Sequence, residues 1–381
     1  MSEPAARPAV WRYFAVAAPG IEPVLAREVA ALPGASEVQR VPGGVEFAGP
    51  LEVCWRANLE LRTATRVLVR VGDFEAHDFS RLRRRAEALP WKLFTDGSAP
   101  LALHVSQARC RLYHTGAVGE RLNEAVVAAL GAKPNAIDPK APPVGLFARG
   151  QNDRWTLSLD ASGELLHKRG WRTETALAPL RETLAAALLE LCDWDPATPL
   201  VDPMCGAGTF AIEACARAMK RAPGLGRAFA FQRWPIFDPE SWRRLLDDAE
   251  RAVLPHPPAP ICASDHDPEV MAAARRNAER AGLGAALQLA ELELRDVTPP
   301  AFSSPGLVIV NPPYGHRVGD RRALGALYSE LGRLLRTRFA GWRAGVLVAD
   351  PRLARALGLR SEHEVALQNG GLRVRLLRYR L

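Results

Sequence analysis

Apolar and polar positions along this chain fall into two regimes. In the first, up to about residue 165, short strand-like runs alternate with helical spacings in no fixed order. Trp11 to Val16 reads as a strand, and Glu22 to Leu32 places Val24, Leu25, Val29 and Leu32 on one helical face before stopping at Pro33-Gly34. Val38 to Val41 and Val45 to Phe47 flank Pro42-Gly43-Gly44 and predict a hairpin. A helix from Leu51 to about Leu61 and a strand from Arg66 to Val71 complete a small α+β unit. The alternation then repeats: a helix over Asp78 to Leu89, a strand over Leu101 to Val105, a helix over Gly119 to Leu130, and a hairpin pairing Val144 to Ala148 with Trp155 to Leu159.

From residue 199 the pattern becomes regular. Apolar strands at Leu200 to Asp202, Ile261 to Asp265, Leu287 to Leu289, Leu307 to Asn311 and Ala344 to Val348 are separated by helical spacings. Glu364 to Leu367 and Leu372 to Tyr379 close the chain as a hairpin across Asn369-Gly370-Gly371. Strand–helix alternation predicts an α/β, doubly wound parallel sheet with helices on both faces. The expected organisation is therefore 1–65, a first α+β unit; 66–165, a second; 166–198, a linker and leading helix from Pro179 to Leu188; and 199–381, the regular domain. A stretch between 215 and 260, rich in Arg, Trp and Pro and containing Arg221-Ala222-Pro223-Gly224, interrupts it. It reads either as a lid on the target side or as inert decoration.

In open doubly wound sheets, ligands bind beyond the carboxyl ends of the strands, and the residues of chemical interest fall there. Leu200 to Thr209 is a strand entering a tight turn, Asp202-Pro203-Met204-Cys205-Gly206-Ala207-Gly208-Thr209, from which a helix opens. Gly206 and Gly208 permit φ > 0 and close backbone approach, and the N–H groups at the helix start can take a carboxylate or the polar edge of a nucleoside. Cys205 is expected as a small residue packed beneath the turn rather than a nucleophile. Asp265 ends the second strand, where it can take both ribose hydroxyls; Asp267 reads as the N-cap of the helix starting at Pro268. Asp296 follows the third strand, where its carboxylate can accept from an adenine amino group. One such carboxylate alone is more often a cap or a surface charge, but three at successive strand ends favour a cofactor pocket.

The fourth strand runs into Asn311-Pro312-Pro313-Tyr314. An exocyclic aromatic amine is a poor nucleophile because its lone pair is delocalised into the ring. The Asn311 side-chain oxygen and the Pro312 carbonyl can each accept one of its N–H bonds, favouring a pyramidal nitrogen, while the prolines stiffen the turn. Tyr314 can stack on a base. A glycine loop after one strand and Asn-Pro-Pro-Tyr after a later one is the signature of S-adenosylmethionine-dependent amino-group methyltransferases, and the pair is specific. A base inside a helix cannot reach such a pocket, so a nucleic-acid target would be unpaired or flipped out.

Composition narrows the remaining classes. In 381 residues, 48% are hydrophobic and 24% charged, the balance of an ordinary globular protein long enough for two or three domains. No apolar run approaches the roughly 20 residues of a membrane span, and Met1-Ser2-Glu3-Pro4 lacks the regions of a signal peptide, so the cytoplasm is the expected location. The six cysteines are scattered without Cys-x-x-Cys pairs or clustered histidines, so neither a metal site nor a disulfide framework is expected. A net charge of +8, shared evenly by the parts before and after residue 175, suits a polyanionic partner without establishing one. Arg81, Arg83, Arg84 and Arg85 share one helix, read as a solvated face or as a phosphate-binding patch.

The whole chain from 10 to 381 resembles the THUMP-domain guanine-N2 RNA methyltransferases, the family of the RlmL part of the bacterial 23S rRNA enzyme RlmKL. The resemblance rests on Leu159-Asp160-Ala161-Ser162-Gly163, His167-Lys168-Arg169-Gly170-Trp171-Arg172, Pro179 to Ala187, Asp202 to Thr209, Arg221 to Gly224, and Asn311 to Gly315. It implies a ferredoxin-like unit over 1–65, a THUMP RNA-binding domain over 66–165, and a Rossmann-like S-adenosylmethionine-dependent domain forming N2-methylguanosine. The candidate RNA contacts are Arg83, Arg84, Lys168, Arg169 and Arg172; the residues expected to hold the cofactor are Asp202, Cys205, Gly206, Gly208, Thr209, Asp265, Asp296 and Asn311, with Asn311, Pro312 and Tyr314 expected as catalytic. The second methyltransferase module of the bifunctional enzyme is not expected here, and related THUMP enzymes act on a tRNA guanosine, so 23S rRNA and tRNA both stand as partners. A nicotinamide dehydrogenase would want a third glycine in the loop and an acidic residue about 20 positions on, and neither is present. A non-catalytic RNA-binding protein with a vestigial cofactor fold is disfavoured by the intact Asp202, Gly206, Gly208, Asp265, Asp296 and Asn311.

Overall fold

The computed structural model describes residues 9–131, 138–172, 180–314 and 321–381. Gly315 and Pro179, both singled out above, lie outside them. The irregular first regime builds β1 (Trp11–Val16), α1 (Glu22–Ala30), β2 (Ser36–Val41), β3 (Gly44–Gly49), α2 (Leu51–Glu60), β4 (Arg66–Glu75), α3 (Phe79–Glu87), β5 (Leu101–Ala108), α4 (Thr115–Leu130), β6 (Val144–Gln151) and β7 (Arg154–Asp160). The local causes are those of the sequence. Gly43 turns the β2–β3 hairpin at φ 87°, and Asp78 caps α3 by accepting from the Arg81 backbone N–H at 2.8 Å. α4 starts four residues ahead of the expected Gly119 because His114 Nδ1 accepts from the Ala117 N–H at 3.1 Å and caps it earlier.

All seven strands join one sheet in the order β2-β3-β1-β4-β7-β6-β5. β4 carries the join: it pairs with β1 over residues 66–70 and with β7 over 68–75, with a bulge between Arg70 and Gly72. Hydrogen bonding thus continues across residue 66 from the first α+β unit into the second.

The regular regime builds α5 (Glu182–Leu191), β8 (Leu200–Asp202), α6 (Thr209–Ala218), α7 (Pro239–Arg251), β9 (Ile261–Asp265), α8 (Pro268–Arg280), β10 (Gln288–Glu291), β11 (Leu307–Val310), α9 (Arg321–Arg338), β12 (Arg343–Val348), α10 (Pro351–Ala356), β13 (His363–Asn369) and β14 (Leu372–Arg380). The sheet order is β10-β9-β8-β11-β12-β14-β13. β8 to β12 are parallel, and the β13–β14 hairpin lies antiparallel to β12. Every residue of β11 is buried, as a central parallel strand requires. β10 starts one residue later than the sequence suggests, because a 3₁₀ turn over Gly284–Ala286 delays it. No helix among the described residues is long and apolar enough to cross a membrane.

The stretch between 215 and 260 is neither a lid nor decoration; it is the joint between the two sheets. Phe231 and Phe237 pack on Trp55 of α2, at ring-centroid distances of 6.1 and 5.5 Å. Trp234 meets Phe94 edge-on at 5.0 Å, and Phe94 meets Trp11 of β1 at 5.3 Å. Backbone bonds fix the segment, Ile236 N–H to Leu93 O at 3.0 Å and Phe231 N–H to Ala161 O at 3.1 Å. The Arg221-Ala222-Pro223-Gly224 motif lies against the end of α2. Gly224 donates to Leu59 O at 2.9 Å, and a Cβ there would stand 2.7 Å from Leu59 Cα, so only glycine fits. Each aromatic side chain fully buried this way contributes about 1.5–3 kcal/mol.

Candidate active site

β8 is the point where the strand order reverses, with β9 on one side and β11 on the other. A crevice is expected beyond its carboxyl end. A cleft of about 650 Å³ opens there, walled by the glycine loop, by Asp265 to Asp267 after β9, by Leu292 to Leu294 after β10, and by Asn311 to Pro313 after β11.

The glycine loop is built on left-handed backbone, with φ 53° at Gly206 and 84° at Gly208. Cys205 N–H donates to Ser264 O on β9 at 2.9 Å, and Gly208 N–H returns to Cys205 O at 2.9 Å. Gly208 is the N-cap of α6 and has no side chain to give, so the first N–H groups of that helix remain open. Asp265 closes the loop from the neighbouring strand. Its carboxylate accepts from Gly206 N–H at 3.1 Å and Asp267 N–H at 3.3 Å. Asp202 lies beneath, 1% exposed, accepting from Met204 N–H at 3.3 Å. Burial, and then the neighbouring Asp265, push its carboxyl well above the usual carboxylate range. Burial also pushes the Cys205 thiol well up, which suits a packed side chain and not a nucleophile.

After β11 the chain turns sharply. Tyr314 Oη donates to Asn311 Oδ1 and orients the amide, while the fully buried Tyr328 of α9 donates to Pro313 O at 3.4 Å. Burial raises the Tyr314 hydroxyl above the normal phenol range.

Of the residues expected to hold a cofactor or act on substrate, Cys205, Gly206, Thr209, Asp265, Asn311 and Pro312 line the cleft. Asp202 and Gly208 lie beneath it, and Tyr314 hydrogen-bonds to Asn311 without lining it. Asp296 is a correction: a 3₁₀ turn over Leu294–Asp296 puts Leu294 against the cleft and leaves the Asp296 side chain 61% exposed beside Arg295.

The expected RNA contacts divide. Arg83 and Arg84 are exposed on α3, whose other face buries Leu82 and Ala86, and Lys168 is an exposed partner of Glu164. Arg169 is a correction: its side chain is 4% exposed, paired at 3.2 Å with Glu213 of α6, and it donates to Leu166 O and Arg62 O. Arg172 is another. Its Nε lies 2.9 Å from Glu182, and Nη2 donates to Thr209 Oγ1 and Leu180 O at 2.6 and 2.8 Å, so it forms a cleft wall. Glu182, Glu213 and Tyr328 escaped the sequence reading. Each meets its partner, Arg172, Arg169 and Pro313 O respectively, only in the folded chain.

Residues 169–378 match the family model of the RMKL-like methyltransferase domain, and residues 12–68 match that of the RlmL ferredoxin-like domain. The chain is 40% identical to the ribosomal RNA large subunit methyltransferase K/L of Syntrophotalea carbinolica, over 97% of this chain and 53% of that protein. It thus spans about half the length of that relative. It is 36% identical to slr0064 of Synechocystis, named a candidate RNA methyltransferase, over 97% of this chain and 96% of that one. Among solved structures, SMU.472, crystallised with S-adenosylhomocysteine, superposes with a TM-score of 0.88 at 30% identity, covering 98% of this chain and 99% of the other.

Proposed function

Because this chain belongs to the RMKL-like methyltransferase family, we propose that it methylates the exocyclic amine of a guanine in RNA, forming N2-methylguanosine, with 23S rRNA as the substrate. The cofactor of the fold is S-adenosylmethionine, which supplies an electrophilic methyl group on a sulfonium. The observation that carries the reading is the Asn311-Pro312 turn opening onto the same cleft as the glycine loop and Asp265.

The cleft suits that cofactor. Its volume, about 650 Å³, falls in the range of small-molecule sites. The open N-terminus of α6 can take a carboxylate, with Arg172 beside it, and Asp265 can take ribose hydroxyls. Asp202 places a buried, reluctant carboxylate beneath, which favours the arrival of a cation.

Asn311 Oδ1 has two lone pairs. One accepts from Tyr314 and fixes the amide, leaving the other for a substrate N–H, while Pro312 O accepts the second N–H. Both acceptors are held before the substrate arrives, by two prolines and by Tyr328 on Pro313 O. The transfer is an in-line displacement, so positioning supplies most of the acceleration. The target base is flipped out or unpaired, and the RNA is gripped by the 66–165 region and by the exposed Arg83, Arg84 and Lys168.

The reading is tested by incubating the protein with labelled S-adenosylmethionine and separated rRNA and tRNA that lack the modification, followed by nucleoside analysis. Labelled N2-methylguanosine in 23S rRNA is the expected result. The same nucleoside in tRNA moves the target and keeps the chemistry. Label in no RNA, with cofactor bound, overturns the reading.

A further inference from the structure

A second cavity, of about 230 Å³, lies on the far side of the 169–172 strap from the cofactor cleft: Arg169, Gly170 and Trp171 line it, whereas Arg172 lines the cleft. It sits at the joint between the two sheets. Four guanidinium groups face it, those of Arg62, Arg169, Arg221 and Arg280, against the one carboxylate of Glu213.

The hydrogen-bonding capacity of these groups is unevenly spent. Arg169 donates to Glu213, Leu166 O and Arg62 O, and Arg280 donates to Trp171 O and Asn277 Oδ1. Arg62 donates through Nη2 to Arg221 O, but its Nη1 is buried with no hydrogen-bond partner among the described residues. The half-buried Arg221 guanidinium makes no hydrogen bond or ion pair with any described residue. Glu213 Oε2 is buried and also without a partner.

A buried cation among like charges, with donors unspent, is costly unless an anion satisfies it. The strain registers on the neighbours. Burial lowers Arg62 to about 10, a shift that Glu213 opposes and Arg169 deepens. Burial, then Arg181, Arg169, Lys168 and Arg172, lower His167 to about 4.

We propose that this cavity binds a phosphate-type oxyanion, held by charge-assisted hydrogen bonds from Arg62 Nη1 and Arg221. The site is distinct from the methyl-transfer cleft and does not rest on the RNA reading. Its ligand is a tetrahedral oxyanion, supplied either by free phosphate or by a backbone phosphodiester. Glu213 Oε2 separates these sources: a hydrogen phosphate has a proton to donate to it, whereas a phosphodiester or sulfate has none.

The test uses the full chain, and its phosphate titration contains neither RNA nor methyl donor. The unfolding midpoint is followed as sodium phosphate is titrated against sodium chloride at matched ionic strength. A saturable rise with phosphate alone is expected, from which a dissociation constant follows. Arg221→Gln, which leaves the cleft untouched, weakens phosphate about tenfold, the loss of one charge-assisted hydrogen bond, at unchanged cofactor affinity. No rise beyond chloride, or an equal rise in Arg221→Gln, overturns the proposal and leaves a water-filled cavity. Where phosphate exceeds sulfate, the ligand is free phosphate. Where sulfate equals phosphate and a single-stranded RNA displaces phosphate from the wild type, the ligand is the RNA backbone.

Discussion

Replacing Arg169 with methionine separates two roles that an arginine in this segment can have. On an RNA-facing surface, its loss would weaken RNA binding and leave the fold alone. In the structure its side chain is 4% exposed and its partner Glu213 3% exposed. Methionine fills much of the space of the aliphatic stem but leaves Glu213 buried without its ion-pair partner, and leaves Leu166 O and Arg62 O without their donors. Breaking a buried pair on one side costs about 3–5 kcal/mol. For 381 residues sharing one core, that corresponds to a midpoint lower by roughly 5 °C. Adding Glu213→Leu, so that neither charge remains, should restore most of the loss, because an apolar pair of similar volume is close to neutral. Scanning calorimetry on the wild type, both single variants and the double variant gives the coupling directly. An Arg169→Met protein that unfolds with the wild type yet binds RNA more weakly would refute the buried-tie account.

Three further outcomes follow from the cleft. Asn311→Ala should lower single-turnover methyl transfer about 10²–10³-fold, the usual cost of one preorganised polar group, with cofactor affinity unchanged by equilibrium dialysis; normal turnover would remove Asn311 from the chemistry. Asp265→Ala should weaken cofactor binding about tenfold or more in calorimetric titration, since the carboxylate that braces Gly206 and Asp267 is gone; unchanged affinity would exclude it from the ribose position. Asp202→Asn concerns pH. Its folded carboxyl is raised by burial and Asp265, so its contribution to stability is full at acid pH and is lost as pH rises from the ordinary carboxylate range through the raised value. Without cofactor, the variant should match the wild type in acid and exceed it increasingly toward neutrality, and denaturation midpoints that differ by a constant amount at every pH would contradict this.

The second sheet was the more legible half because its signals are local. A central parallel strand must be apolar at every position, and β11 is. Asp267 caps α8 by accepting from Glu269 and Val270 N–H, as a residue before Pro268 at a helix start should. The side chains that went astray depend on partners far along the chain or on the rotation of one short turn. Asp296 has the right spacing after β10, but a single 3₁₀ turn decides which of Leu294 and Asp296 faces inward. Arg169 and Arg172 flank Gly170 at φ 91°, and their directions are set by Glu213 and Glu182, acids that no local pattern links to them. The aromatic content of residues 229–242 was visible; its destination on Trp55 and Phe94 was not, because that contact exists only once both sheets have formed.

That destination changes how the two halves must work together. Modules within one chain usually meet through modest, polar interfaces, and relative motion is the default. Here one cluster of buried residues runs from Trp11, Trp55 and Phe94 through Phe231 and Trp234 to Leu200 and Ile309, so the two sheets share a core. Close-packed interiors resist deformation, and Gly224 against Leu59 and the Arg169–Glu213 tie add directional contacts to the same joint. The separation between the exposed arginines of α3 and the cleft beside β11 is then fixed by packing rather than by a hinge. On the function proposed above, an RNA held by those arginines can offer to Asn311 only a nucleotide at that fixed distance, so the joint would contribute to the choice of target by geometry.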